Sequence, residues 1–385
     1  MDATPSTRKK AAKSSADSKL SNGALVAIDG SVDATASGQD ATLEKSGAGG
    51  NATIMDVARL AAVSKKTVSR VINDSELVQP ETRERVLNAI ARLHYVPDPQ
   101  ARGLSSRYAY LIGMVFDNPT AQYVVSMQYG ILDGLKNSGF ELVVHPCDSK
   151  QPDYVEGVKE FVRRQRLFGV VMVPRVSEDE NLALAMQELG VHYIRIAAVA
   201  LDDPSNMIIT NDRRAGFEAA QYFESLGHKH MAMITGPGRY RSALERSSGF
   251  REGLRTRGLE LKEQCVYEGG YTFESGVTGA QVLLSQTPRP TAIFAANDQM
   301  AAGVYKVAHR MGIAIPEQLS VIGYDDSPLA VQLWPALTTC HVPVRALGQE
   351  AARALLSKRN ASGGFTGSAI QPSLVVRDSV QPPQA

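Results

Sequence analysis

Residues 53–74, TIMDVARLAAVSKKTVSRVIND, carry two apolar stripes separated by a break. Ile54, Val57, Ala58 and Ala61 recur at i, i+3, i+4 and i+7, and after Val63 the pattern restarts with Val68, Val71 and Ile72. The spacing predicts two short helices joined by a turn, a helix-turn-helix. Ser64 stands where the second helix needs an N-cap, and Lys65, Lys66, Thr67, Ser69, Arg70 and Asn73 then point away from the apolar stripe. Such a face fits a major groove, with Arg as a bidentate fork to guanine and Lys and Ser as contacts to bases or phosphates. The same residues also suit the solvated face of a small helical domain, and the pattern alone leaves both readings open.

On the C-terminal side, Pro80 and Glu81 open a third helix whose Val86, Ile90 and Leu93 fall at i, i+4 and i+7, closing a three-helix core. The next segment, DPQARGLSSR at 98–107, has little to bury alone, and Gly103 weakens a helix there by about 1 kcal/mol relative to Ala. It reads as a linker or as a helix that forms only when bound. On the N-terminal side, residues 1–50 are rich in Ser, Ala, Gly, Asp and Thr and read as a disordered extension. Their cluster of Arg8, Lys9, Lys10 and Lys13 gives a functional alternative, a basic arm that adds nonspecific DNA affinity.

From Ala109 the pattern changes to short apolar strands alternating with helical stretches. AYLIGMVF (109–116), ELVVH (141–145), GVVMVP (169–174) and HYIRIA (192–197) form one set of strands. MIIT (207–210), HMAMITG (230–236), CVYEGG (265–270), TAIFAAND (291–298) and LSVIGYDD (319–326) form a second. The expected architecture is two doubly wound parallel-sheet α/β halves, with ligands at the carboxyl ends of the strands. Polar groups collect at those ends: Asn297, Asp298 and Gln299 after one strand, Tyr324, Asp325 and Asp326 after another, and Arg246 in a helix following GPGRYR. Amides, carboxylates and a guanidinium of this kind can bind adjacent sugar hydroxyls, with Tyr271, Phe273 or Trp334 covering an apolar ring face. Each also has a structural explanation as a helix cap or a surface residue.

At 385 residues, two or three domains are expected. The 41 Lys+Arg against 40 Asp+Glu leave a net charge of +1, so any nucleic-acid-binding charge is local. Three scattered cysteines suit neither a disulfide framework nor a zinc site and fit a reducing compartment. No run is long and apolar enough for a membrane span, and the N-terminus lacks a signal peptide's apolar core. No Ser-His-Asp order, HExxH, CxxC or GxxxxGK[ST] is present. No catalytic residues, metal or cofactor are therefore expected, although a converging Asp298 and Asp325 would imitate a hydrolase's carboxylate pair.

DVAxxAxVSxxTVSRVxN, from Asp56 to Asn73, resembles the headpiece of the lactose-repressor/galactose-repressor (LacI/GalR) family of bacterial transcription factors, and the likeness extends over about 53–378. Ala62 departs from it, standing where the family commonly has a turn glycine, which implies a small change of turn geometry. The resemblance implies a helix-turn-helix domain at 51–97, a hinge helix at 98–108 and a periplasmic-binding-protein-like core at 109–378, before a tail at 379–385. Its N-lobe would comprise about 109–208 plus 342–360, and its C-lobe about 209–335 plus 361–378. Lys65, Lys66 and Arg70 would read bases, Thr53, Ser64, Thr67, Ser69 and Asn73 would fix position, and Ala101, Arg102 and the wedge Leu104 would enter the minor groove. RSSGF at 246–250 resembles the family's RxxGF, whose Arg clamps the effector, while FAANDQMAAG and SVIGYDD match two further blocks. The implied effector contacts are Gln122, Tyr123, Arg246, Tyr271, Asn297, Asp298 and Asp325. Asn211 stands where many members have Asp, and WPALTT at 334–339 resembles the crossover between lobes, with Trp334 as a packed hinge aromatic. The function implied is a cytoplasmic homodimeric repressor of carbohydrate-utilisation genes, binding a pseudo-palindromic operator under control of a small sugar. A purine is the other effector class, and a soluble sugar-binding protein without gene control is the rival. The tail lacks leucine heptads, so no tetramerising coiled coil is expected.

Overall fold

The computed structural model describes residues 52–72, 77–95, 108–118, 120–359 and 364–384. The expectations for residues 1–50, Asn73 and the hinge positions Ala101, Arg102 and Leu104 lie outside the described residues.

Three helices follow Ala52: α1 (Ile54–Leu60), α2 (Lys65–Ile72) and α3 (Pro80–Arg92). A capping box starts α1, with the Thr53 N–H and hydroxyl donating to Asp56 Oδ2 at 2.9 and 2.6 Å and the Asp56 N–H donating back to Thr53 Oγ1 at 3.4 Å. Ser64 Oγ accepts the Thr67 N–H at 3.1 Å, which satisfies one of the orphan donors at the start of α2. Both stripes turn inward, so that Val57, Val68 and Val86 are fully buried beside Ala58, Ala61, Val71 and Ala89.

Ala62 lies in the turn directly after the C-cap of α1, Ala61. It adopts the left-handed conformation itself, at φ 52°, where an L side chain crowds the following carbonyl. Ala62→Gly is therefore expected to stabilise this three-helix unit by about 1 kcal/mol. Slower amide exchange across 53–95 would register the gain; unchanged exchange would mean that Ala62 sits there without strain.

The remaining chain forms two six-stranded sheets. The first contains β1 (Leu111–Phe116), β2 (Glu141–Pro146), β3 (Gly169–Met172), β4 (His192–Ala197), β5 (Met207–Ile209) and β11 (Ser368–Ala369), in the order β11-β5-β4-β3-β1-β2 and parallel throughout. The second contains β6 (Met231–Thr235), β7 (Val266–Glu268), β8 (Ala292–Ala295), β9 (Ser320–Asp325), β10 (Thr338–His341) and β12 (Ser373–Val375), in the order β12-β10-β9-β8-β6-β7. Only β12 runs antiparallel there, against β10. In each lobe the strand order reverses at the first strand, β1 or β6, so each sheet has a switch point where two loops diverge.

The helices of the first lobe are α4 (Ala121–Leu135), α5 (Tyr154–Gln165), α6 (Glu180–Glu188) and α12 (Val344–Ser357); those of the second are α7 (Asp212–Ser225), α8 (Arg241–Arg255), α9 (Phe273–Leu284), α10 (Asp298–Arg310) and the short α11 (Pro328–Gln332). The chain crosses between sheets after β5, after β10 and between β11 and β12. Three sequence expectations change accordingly. MIIT supplies a strand of the first sheet, because Met207–Ile209 pairs with β4 and β11. Within 361–378, which the sequence reading gave wholly to the second lobe, Ser368–Ala369 belongs to the first sheet. WPALTT stays in the second lobe, where Thr338 and Thr339 pair with β9, and the crossing falls at Val342–Pro343. Trp334 is not packed: it is 91% exposed.

Candidate functional site

The cleft between the lobes is lined by residues that follow strands. Asn118 comes after β1 and Arg175 after β3; Thr210 and Asp212 come after β5, Tyr240 after β6, and Asn297 after β8. This places the cleft at the carboxyl ends of both sheets, where the switch points splay the loops apart. Arg175, Asn211, Tyr271, Asp325 and Asp326 all take positive φ in these loops, a strain that aims side chains.

Arg246 and Asp212 form the centre. Arg246 Nε donates to Asp212 Oδ1 at 2.7 Å and Nη1 donates to the Ala296 carbonyl at 2.5 Å, while the guanidinium lies 3.4 Å from the Tyr324 ring centroid. Asp212 also accepts from the Tyr324 hydroxyl at 2.9 Å and from Thr210 Oγ1. The charge pair is therefore buried, with three hydrogen bonds to the carboxylate, two from the guanidinium and an aromatic face against it, which helps offset the cost of burying such a pair. It is held by α7 and α8, whose axes approach closely at two glycines: a Cβ on Gly216 would stand 2.1 Å from the Arg246 carbonyl oxygen, and one on Gly249 would stand 1.9 Å from that of Arg213. Asn297 caps α10 by accepting the Met300 N–H at 2.9 Å and holds the Tyr271 carbonyl with its amide at 3.0 Å. The Tyr271 hydroxyl is buried beside Ser242.

Burial raises the Asp325 carboxyl from 3.8 to about 8, with the Arg246 charge working against the rise. Burial also raises Asp298, to about 6, against its hydrogen bonds to Thr339 and Ser327. A carboxyl with a raised folded-state pKa retains its proton in the native chain after the unfolded chain has lost it. Stability then falls as pH rises from near 4, and levels off above the raised value. Asp325→Asn is expected to flatten the part of that fall between about pH 6 and pH 8, read as the urea midpoint against pH. A slope identical to the parent's would remove Asp325 as its source.

Two first-lobe groups reach across to the start of α8. Glu178 Oε2 accepts the Arg241 N–H at 3.0 Å, and the Arg175 guanidinium lies 4.7 Å from the Tyr240 ring centroid. A carboxylate at a helix N-terminus meets unsatisfied N–H groups and the positive end of the dipole, so this contact favours closed lobes. On α2, Lys65, Lys66 and Arg70 are exposed, while the Ser64 and Thr67 hydroxyls lie 2.9 Å apart and bond one another.

Residues 53–98 match the family model described as bacterial regulatory proteins, lacI family, and 220–380 match a periplasmic binding protein-like domain. The HTH-type transcriptional regulator DegA of Bacillus subtilis is 31% identical over 86% of this chain and 98% of its own length. The HTH-type transcriptional repressor PurR of Vibrio vulnificus is 31% identical over 86% and 99%. The ribose operon repressor of Haemophilus influenzae is 30% identical over 86% and 98%. The chain belongs to the lacI family of bacterial regulatory proteins. Among solved structures, a Lac repressor dimer bound to operator and the anti-inducer ONPF superimposes with a TM-score of 0.69 at 28% identity, covering 86% of this chain and 100% of that one. A complex of the transcriptional regulator CelR with cellobiose gives 0.65 at 29% identity, covering 85% and 99%.

In this lacI-family chain, Tyr123, Arg246, Tyr271, Asn297 and Asp325 converge on the cleft as expected from the sequence. Gln122 does not reach the centre; its amide donates to Ser126 Oγ at 3.3 Å on the far side of Tyr123. Asp298 turns away from the cleft. Its carboxylate accepts from the Ser327 N–H and hydroxyl and from Thr339 Oγ1, so it knits the second lobe together and forms no catalytic-looking pair with Asp325 in the cleft. Asn211 spends its amide on the Ile370 carbonyl, and the neighbouring Asp212 takes the central place. Sequence reasoning missed Asp212, Arg175, Tyr240 and the platform role of Tyr324. The signal for Asp212 was its position between a strand and a helix, one residue past the position singled out. Among the described residues no His, Cys, Asp or Glu group is arranged to hold a metal, and no helix is long and apolar enough to cross a membrane.

Proposed function

We propose that this regulator binds a pseudo-palindromic operator as a homodimer, represses carbohydrate-utilisation genes in the cytoplasm, and is switched by a small sugar in the interlobe cleft. The observation that carries the reading is the pairing of an exposed basic helix, α2, with a cleft rich in hydrogen-bonding groups. There Arg246, Asp212, Asn297 and Tyr271 line a space whose carboxylates and amides suit sugar hydroxyls. The solved neighbours support both halves, one bound to operator and one to cellobiose. An effector that prefers one lobe angle shifts the population of that angle by its differential affinity, and the hinge segments carry the change to the headpieces.

Lys65, Lys66 and Arg70 are proposed to read bases, and Thr53, Ser64, Thr67 and Ser69 to set position on the backbone. Arg70→Ala should cost about 1–3 kcal/mol of operator binding and relax preference at one base position. Unchanged affinity and preference would take Arg70 out of the readout. The function itself is tested by binding of the purified protein to its own upstream intergenic DNA, with and without a panel of mono- and disaccharides at one stated salt concentration. Specific binding released by one sugar is the expected result. Tight sugar binding without specific DNA affinity would favour the simple sugar-binding protein.

A further inference from the structure

The interlobe cleft is not the whole of the space beside it. A second cavity of about 490 Å³ adjoins it and shares Thr120, Tyr123, Asp325 and Val342 as walls. Tyr123 and Asp325 stand between the two compartments. The outer one runs between the first turns of α4 and α12 and is closed from the second lobe by the loop after β9 and the end of β10. It spans both lobes, and its wall includes Val342 and Pro343, where the chain crosses from one lobe to the other.

Its lining mixes apolar side chains with amides, hydroxyls and three carboxyl groups. Gln122 and Ser126 come from α4, Gln349 from α12, and Ser327 and His341 from the second lobe. Two of its three carboxyl groups are already committed, the third being Asp325 on the wall shared with the inner compartment. Asp326 accepts from Arg377 Nη2 at 2.6 Å and lies 3.0 Å from His341 Nδ1, and Asp133 holds Arg345 at 2.5 Å and Lys136 at 2.7 Å. Arg345 gives its Nε to Asp133, and with Asp325 and Asp326 also on the wall a phosphate or carboxylate ligand meets more acidic groups than basic ones. Hydroxyl and amide groups favour uncharged, hydroxyl-bearing ligands. The inner compartment has the same bias, because Arg246 is held by Asp212, and Asp117 lies 3.7 Å from Arg175.

Resting on the sugar reading above, we propose that the effector is an uncharged disaccharide or longer saccharide, with one unit against Arg246 and Asp212 and the next in the compartment between α4 and α12. The second unit would touch both lobes beside the crossing strand, so its binding bears on lobe angle as well as on affinity.

The test is calorimetric titration of the full chain with glucose, galactose and ribose, and with cellobiose, maltose and lactose. At least one disaccharide should bind ten-fold or more tightly than either of its component units. Ser126→Trp fills the outer compartment from α4, and Gln349→Trp fills it from α12, so that failure of one variant to fold leaves the other. Either plug should lower disaccharide affinity at least ten-fold while leaving the weaker monosaccharide affinity within two-fold. Arg246→Ala should lose both. A monosaccharide that binds as tightly as every disaccharide, or a folded plugged variant that binds the disaccharide like the parent, overturns the inference and leaves the sugar reading standing. Absence of binding by any saccharide in a chain that still binds its operator overturns both.

Discussion

Replacing Asp212 by alanine is expected to abolish saccharide binding and to lower the stability of the second lobe by about 3–5 kcal/mol, the usual cost of removing one partner from a buried ion pair. Asp212 is 2% exposed and the Arg246 side chain 11%. Without the carboxylate, Arg246 keeps the Ala296 carbonyl and the Tyr324 ring face but loses its directly bonded counter-charge, and the Tyr324 hydroxyl loses its acceptor. The guanidinium must then leave the cleft or rely on ionisation of the buried Asp325, whose carboxyl burial holds well above its ordinary value. Asp212→Asn retains a carbonyl oxygen for Nε and the phenol, so it should fall between the parent and the alanine variant in both urea midpoint and ligand affinity. An alanine variant with the parent's midpoint and sugar affinity would show that the pair is dispensable.

The second large effect is at Gly249, inside the RSSGF stretch. A Cβ there would lie 1.9 Å from the Arg213 carbonyl oxygen, a backbone atom fixed in α7 that cannot step aside as a side-chain end would. Gly249→Ala should push α7 and α8 apart and cost at least the upper part of the ~1–3 kcal/mol range typical of overpacking. Because α7 begins with Asp212 and α8 carries Arg246, the displacement should also weaken saccharide binding ten-fold or more. Gly157 provides the contrast. It lies in α5 with nothing within 4 Å of its would-be Cβ, and Gly157→Ala should stabilise by about 0.5–1 kcal/mol through helix propensity alone. Equal urea midpoints for the two variants would contradict the close helix approach.

Gly249 also shows how far a motif can be read. RxxGF pointed to Arg246, and the structure adds that the glycine three residues on permits the helix contact that positions it. Asn297 behaved similarly: its place between strand and helix made it both a cap and a cleft residue. Asp298 and Asp325 were indistinguishable as carboxylates after strands. The consecutive positive φ values at Asp325 and Asp326 send Asp325 into the cleft and Asp326 toward Arg377, whereas Asp298 enters α10 and faces Ser327 and Thr339. At the end of β5 a left-handed Asn211 gives the central place to Asp212.

The sequence by itself determined the three-helix headpiece, the exposed Lys65, Lys66 and Arg70, and the alternation of strands and helices that makes two parallel sheets. These follow from hydrophobic period and capping, which act between residues a few positions apart. Only the tertiary structure decided which lobe the edge strands join, that Trp334 faces solvent, that Asp212 pairs with Arg246, and that a second compartment opens beside Tyr123. Those outcomes depend on backbone turns at strand ends and on contacts between segments far apart in the chain, for which no local period carries a signal.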